Sequence, residues 1–259
     1  MIARPAAVAG LFYPADSATL RSTVTDLLTA APAGTGGAKA IIAPHAGYKY
    51  SGPTAAHAYR QLDDRRSRIS RVVLLGPAHR VPVRGMAVPS VDVFATPLGD
   101  VPIDKAAIEQ VIELPGVQVS DEAHAMEHSL EVHLPFLQVQ LEEFQLVPIA
   151  VGTCTARHVD AVLETLWGGE ETAIVVSSDL SHFHAYSEAQ AIDLQTTARL
   201  EQRDTTLRGE EACGAYALNG LMLTAQSKGL DVCTLDVRNS GDTSGDKFRV
   251  VGYGAYALS

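Results

Sequence analysis

Three stretches of the 259-residue chain share one pattern. "AIIAPHAGYKY" (40–50), "RVVLLGPAHR" (71–80) and "AIVVSSDLSHFH" (173–184) each run from consecutive apolar residues, through small residues or proline, to a histidine. The histidines are His45, His79 and His182, and the third stretch adds Asp179. Neutral imidazole binds late first-row metals, and two histidines with one anionic ligand and open positions suit a non-haem iron(II) site. The histidines supply neutral donors, the anion carries part of the metal charge, and the open faces take substrate or dioxygen. The candidate anions are Asp179, Glu127, Glu131 and Cys213. Spacing alone does not choose among them. One histidine after a strand more often caps or packs locally, whereas three at equivalent positions ask for a common site.

A second pattern competes. In "HAMEHSLEVH" (124–133), His124, Glu127 and His128 spell H-x-x-E-H, the inverted zinc-peptidase motif. On one helix, His124 and His128 share a face and Glu127 serves as base. Three fixed positions in five recur by chance, and "VSDEAHAM" is a poor helix opening, so we rank the peptidase reading below the strand-end site. Glu127, His128, Glu131 and His133 read first as a polar helix face that lines or supports a pocket. Cys213 opens an apolar helix, where the dipole favours a thiolate; the other reading is a small buried hydrophobe. Cys154 and Cys233 read as core residues, His57 and His158 as packing or surface, and His184 as a stand-in for His182. "NSGDTSGDK" (239–247) reads as a turn, with an anion-binding backbone nest as the alternative.

These residues need elements to place them. Strand candidates are 40–43, 71–76, 145–151, 172–177, 231–237 and 247–257. The first, second and fourth are continuously apolar and β-branched, as strands buried on both faces are. Between them lie helix candidates with recognisable ends: Asp16 or Ser17 before "ATLRSTVTDLL", Ser51 with an early Pro53, Asp104, Thr155, Ser187 with Glu188, and a helix from Cys213 that closes on Gly229. Alternation of strand and helix predicts an α/β domain with a largely parallel, mixed sheet flanked by helices. The last two strands, joined by the turn, predict an antiparallel hairpin. In such sheets ligands bind beyond the carboxyl ends of the strands, where His45, His79 and His182 all fall.

Composition bounds the rest. A chain of this length buries enough surface for a core without disulfides. The net charge of −10 argues against a nucleic-acid footprint and against an anionic membrane surface. The 46% hydrophobic and 19% charged fractions are those of a soluble globular protein. Three cysteines without C-x-x-C spacing, and no secretion signal, predict free thiols in the cytoplasm. No apolar run reaches the ~18 residues of a membrane helix. The only linker-like stretch, "TAAPAGTGGAK" (29–39), lies too near the N-terminus to divide two domains, so residues 1–259 read as one.

Together, "GLFYP" (10–14), "IIAPHAGYKYSG" (41–52), "LLGPAH" (74–79), "EHSLEVHLPFL" (127–137), "VVSSDLSH" (175–182) and "NSGDTSGDKFRVVGYGAYAL" (239–258) resemble the Memo-like family, the protein B component of the AmmeMemoRadiSam gene group. The likeness covers almost the whole chain. It implies the fold of class III extradiol dioxygenases, in which two histidines and a glutamate hold iron(II) and a further histidine is the base. Carried over by motif, His45 and His79 match the metal histidines and His182 the base. Cys213 stands where the dioxygenases use glutamate, and Asp179 lies near the same site, where it would accept a hydrogen bond from a His182 ring nitrogen and fix its tautomer; the other reading is that Asp179 and His182 merely cap the helix beginning near Ser187. A thiolate ligand moves metal preference from iron(II) toward copper or zinc and departs from ring-cleaving enzymes. Animal members are reported to bind phosphotyrosine peptides, but "CGAYAL" is apolar where they carry basic and polar residues. The resemblance implies a metal-dependent redox enzyme acting on an unknown small molecule or peptide, or a non-catalytic binding module. It also implies partners with an AMMECR1-like domain and a radical-SAM protein.

Overall fold

The computed structural model describes residues 1–259, apart from the side chain of Ser244. In chain order the strands are β1 (Ala3–Arg4), β2 (Ala40–Ala43), β3 (Arg71–Pro77), β4 (Met86–Val88), β5 (Val93–Thr96), β6 (Gly99–Pro102), β7 (Val117–Val119), β8 (Gln145–Val151), β9 (Thr172–Ser177), β10 (His182–His184), β11 (Val232–Asn239) and β12 (Val250–Leu258). The helices are α1 (Ser17–Ala30), α2 (Tyr48–Tyr59), α3 (Lys105–Ile112), α4 (Asp121–Ala125), α5 (His128–Glu131), α6 (Leu134–Gln140), α7 (Ala156–Leu166), α8 (Tyr186–Glu201), α9 (Ala215–Lys228) and α10 (Ser240–Ser244).

The continuously apolar strands form the centre. Parallel β2, β9, β3 and β8 lie side by side, with Ala43 opposite Ser177, Leu75 opposite Val176, and Leu75 also opposite Ile149. Every residue of β2 and β9 is buried, because helices cover both faces. Antiparallel strands flank this core. β12 pairs with β2 and, as predicted, with β11 in a hairpin, while β4 runs antiparallel to β8. The result is a nine-stranded mixed sheet, ordered β10-β12-β2-β9-β3-β8-β4-β7 with β11 paired to β12. A small sheet, β1-β5-β6, lies apart. α9 packs on β3, β9 and α7, and α2 packs on β2, β11 and β12.

The predicted caps hold at four places. Asp16, Asp104 and Thr155 accept backbone N–H groups at the starts of α1, α3 and α7, and Gly229 ends α9 in the left-handed conformation at φ 69°. Two starts differ. α2 begins at Tyr48, so Ser51 lies within it and donates to the carbonyl of Ala46 at 2.8 Å. α8 begins at Tyr186, with no side-chain bond from Ala185 at its cap. Residues 239–247 hold more than a turn: Asn239 and Asp242 form a reciprocal capping box that starts α10.

Candidate metal centre

Strand register places the first pair of residues. Ala43 of β2 lies opposite Ser177 of β9, so the residues that follow, His45 and Asp179, meet just past the sheet. Asp179 Oδ1 accepts the backbone N–H of His45 at 2.8 Å. The His45 ring turns back onto β9, with Nδ1 2.6 Å from Ser177 Oγ. That hydroxyl also donates to the carbonyl of Ser129 at 2.7 Å. His79 leaves the end of neighbouring β3 and is held by Glu127. Glu127 Oε2 accepts its backbone N–H at 2.5 Å, and Oε1 lies 3.0 Å from its Nδ1. Gly76 in β3 permits this closeness, since a Cβ there would lie 2.9 Å from Ser129 Oγ and 3.2 Å from Ser177 Cβ.

The next residue after Glu127 completes a triad. The rings of His45, His79 and His128 are 4.9 to 5.5 Å apart by centroid. One nitrogen from each falls within 4.8 Å of the others, a spacing that can hold a metal ion. His45 is buried, His128 half-buried and His79 exposed, so the cluster runs from the interior to the surface. Cys213, just ahead of α9, brings its sulfur 3.4 Å from His45 Nε2 and accepts the backbone N–H of Asp179 at 3.3 Å. Of the metal residues expected from sequence, His45 and His79 belong to the triad with His128, and Cys213 lies beside His45 without joining the mutually close ligand atoms.

The electrostatics favour neutral imidazoles. Burial, reinforced by His79 and His128, holds His45 well below the usual histidine value of 6.5. Burial likewise lowers His128, against the opposing charge of Glu127. For Glu127 burial is the largest influence and opposes ionisation, but hydrogen bonds from His79 and Ser129 outweigh it and bring the carboxyl down to about 2. Asp179 goes the other way: burial raises it above 3.8 despite its bond from His45. Cys213 departs from the expected dipole-stabilised thiolate. Burial pushes the thiol up and the Asp179 charge adds to this, outweighing the N–H bonds to its sulfur. Only a cation or a base beside it would release that proton.

His182 lies on β10, near enough for its charge to act on Asp179 and His45. The anticipated hydrogen bond from a His182 ring nitrogen to Asp179 is not formed among the described residues; Asp179 Oδ1 accepts the His45 backbone N–H instead. Neither residue caps α8. Beside His182, Phe183 adopts φ 64°, left-handed backbone that is unfavourable for a residue with a Cβ, under the guanidinium of Arg249.

The remaining candidates separate from the cluster. The H-x-x-E-H stretch is not one helix: Glu127 is extended and caps α5, after α4 has ended at Ala125. His124 is buried elsewhere, with Nε2 2.9 Å from the Ala87 carbonyl and its ring against Phe94. Burial brings it to about 4. Glu131 pairs with Arg4 and accepts from Tyr13 Oη at 2.5 Å and from the N–H groups of Ala7 and Val8. His133 meets Tyr59 Oη at 2.7 Å. His184 pairs with Glu188 and His57 with Asp236. Cys233 is exposed and Cys154 half-buried, so neither is a fully buried core residue. Sequence alone underrates His128, whose placement depends on α5 starting right after Glu127. Its adjacency to Glu127 is the one clue.

The donor set fits a metal. The lone hydroxyl proton of Ser177 goes to an acceptor-only carbonyl, so His45 Nδ1 donates to Ser177 and Nε2 keeps its lone pair. His79 Nδ1 donates to the Glu127 carboxylate, with the same result. His128 Nδ1 is a buried nitrogen with no hydrogen-bond partner. It lies 3.3 Å from Glu127 Oε1 without hydrogen-bond geometry.

A family profile described as Memo-like protein matches residues 4–257. Among similar proteins, a MEMO1 family protein of Aquifex aeolicus is 35% identical over 268 residues, covering 98% of each chain. One from Methanothermobacter thermautotrophicus is 34% identical over 98% of this chain and 99% of its own. Another, from Aeropyrum pernix, is 36% identical over 97% and 98%. In structure, an uncharacterised protein of Escherichia coli K12 aligns with a TM-score of 0.54 at 14% identity, covering 83% of this chain and 98% of its own. At that identity the likeness concerns the fold. No helix is long and apolar enough to cross a membrane among the described residues.

Proposed function

The chain belongs to the Memo-like family, and from that premise we propose that it is a metal-dependent redox enzyme related to extradiol dioxygenases, using a non-haem iron or copper ion. The observation that carries this reading is the convergence of His45 and His79, just past the carboxyl ends of parallel strands, with His128 from α5, one ligand nitrogen of each lying within 4.8 Å of the others. His45 and His79 anchor the ion, Cys213 supplies the anionic ligand, and His128 stands beside them as a further imidazole. Such an ion, when bound, provides Lewis-acid and redox chemistry that no side chain here has alone.

The protein's own groups have separate tasks. Burial of His45 and Asp179 keeps water from the inner wall of the site. The acid–base task falls to His182, which is half-buried, is not held by Asp179, and can accept or give a proton at its ring nitrogens. In this reading His182→Ala retains the metal and loses turnover by roughly 10²–10⁴-fold, the worth of a general base. Metal analysis of the variant, with oxygen uptake on a catechol probe, checks both halves. Loss of metal from His182→Ala would make His182 a ligand.

A second reading, a non-catalytic module binding a metal ion or a peptide through the same residues, draws on Asp179. Asp179 accepts the His45 backbone N–H, and among the described residues no hydrogen bond joins it to His182 as an acid–base pair. The deciding experiment is metal analysis of protein purified anaerobically, beside the double variant His45→Ala with His79→Ala. We expect one iron or copper per chain in the parent and none in the folded double variant. Equal metal in both would remove the proposed site.

A further inference from the structure

The two metal-anchoring histidines are oriented from a single short segment. Glu127 holds His79 directly, through both its backbone N–H and Nδ1. Two residues on, the Ser129 carbonyl holds His45 indirectly, through the Ser177 hydroxyl. The Ser129 hydroxyl donates to the Pro77 carbonyl at 2.8 Å and so ties the same segment to the strand that delivers His79. His128 lies between the two orienting groups.

We propose that Glu127 and Ser177 are positioning residues which lock His79 and His45 in one tautomer, with the proton on Nδ1 and the lone pair on Nε2, and that residues 127–129 thereby set the metal affinity of the whole site. Donor and acceptor chemistry decides the direction of each bond. Both Glu127 oxygens already accept backbone N–H groups, from His79 at Oε2 and from Ser129 at Oε1. Two accepted N–H groups, one at each oxygen, are the bonding pattern of an ionised carboxylate, which is an acceptor only, so His79 Nδ1 donates to it. Serine has one hydroxyl proton. A carbonyl cannot donate, so that proton goes to Ser129, and His45 Nδ1 must be the donor to Ser177. Were the histidine tautomers reversed, Nε2 would carry a proton and could not ligate an ion. Groups that fix ligand tautomers in this manner typically govern metal affinity by roughly 10–100-fold.

The inference rests on the metal-site reading for its consequence, but the tautomers themselves can be measured without metal. The experiment is long-range ¹H–¹⁵N correlation on the metal-free protein, with competition titration of iron(II) and copper against a chelator. In the parent, His45 and His79 should both show the Nδ1–H pattern. Ser177→Ala should move His45 toward Nε2–H and leave His79 unchanged, whereas Ser177→Thr, which keeps the hydroxyl, should preserve both. Glu127→Gln should disturb His79 alone, because an amide offers one acceptor where the two sides need two. Each disruptive variant should weaken metal binding by roughly 10–100-fold. An Nε2–H tautomer for either histidine in the parent, or unchanged tautomers in Ser177→Ala and Glu127→Gln, overturns the proposal. Correct tautomer shifts in a parent that binds no metal would sustain the positioning roles and reject the metal reading instead.

Discussion

Two buried glutamates stand four residues apart on one segment, and their surroundings differ in kind. Glu131 is closed off. Arg4, Tyr13 and two backbone N–H groups converge on it, each a donor with nothing further to offer a ligand. Glu127 is open. Its side-chain partner, His79, takes the contact at one ring nitrogen and keeps another for use. The first arrangement ends a charge within the fold, and the second passes its influence to an exposed member of the histidine triad. Burial and charge alone therefore do not mark a functional carboxylate. What its partners have left over does.

The comparison can be broken at its stable half. Arg4→Met removes one member of a buried ion pair and leaves Glu131 uncompensated, which typically costs about 3–5 kcal/mol. Urea unfolding of the metal-free protein should show that loss, while the folded variant keeps the parent's metal stoichiometry. If metal disappears as well, the two carboxylates act as one unit and the contrast fails.

His124, whose carbonyl accepts from Arg4 Nε at 2.9 Å, belongs to the closed half and gives a pH signature. Its folded value of about 4 lies below the ordinary 6.5. Above 6.5 neither folded nor unfolded chain is protonated there, and no stability is lost. As pH falls below 6.5 the unfolded chain binds a proton that the folded chain refuses, so stability declines until about pH 4. The gap amounts to roughly 3 kcal/mol. His124→Gln retains an N–H for the Ala87 carbonyl and should flatten the acid limb by up to that amount in urea titrations from about pH 7 to 4. An unchanged limb would assign the acid sensitivity to other groups, His133 first, which burial brings to about 3.

The smallest effect sharpens the boundary between the halves. Ser129→Ala deletes the hydroxyl that serves Pro77 but leaves the backbone carbonyl that serves Ser177. We expect about 1 kcal/mol of lost stability, the usual worth of one hydrogen bond, and metal affinity within a few-fold of the parent. A loss as large as that of Ser177→Ala would show that the hydroxyl, too, positions the site.

Much of this was legible in the sequence, for physical reasons that vary by element. Apolar runs such as 40–43 and 172–177 are strands because only strands covered on both faces tolerate such continuity. Their carboxyl ends then placed His45, His79 and Asp179 together. Caps at Asp16, Asp104 and Thr155 followed from side-chain chemistry acting within one turn. The short strands β4 to β7 were not visible, since three or four residues carry little periodicity and are set by their neighbours. Nor was His128: its role depends on an extended residue at 127 that separates α4 from α5, where the spacing suggested one helix. The thiol of Cys213 lies beside His45, but its proton was not legible, because position in sequence shows the nearby helix and conceals the burial that outweighs it.

The tie between Arg4 and residues 124–131 has a consequence for the order in which the molecule can form. Its hydrogen bonds span 120 to 127 positions of chain, and the sulfur of Cys213 meets His45 across 168. Contacts of that separation close late and slowly, since a long loop must be ordered before any contact rewards it. During synthesis, residues 4, 45 and 79 emerge well before the groups that orient them, and the His45–Cys213 contact can close only once residue 213 has been made. The cluster of histidines is then completed only as a final event of folding, gated by long-range closure of the chain rather than by any one local contact.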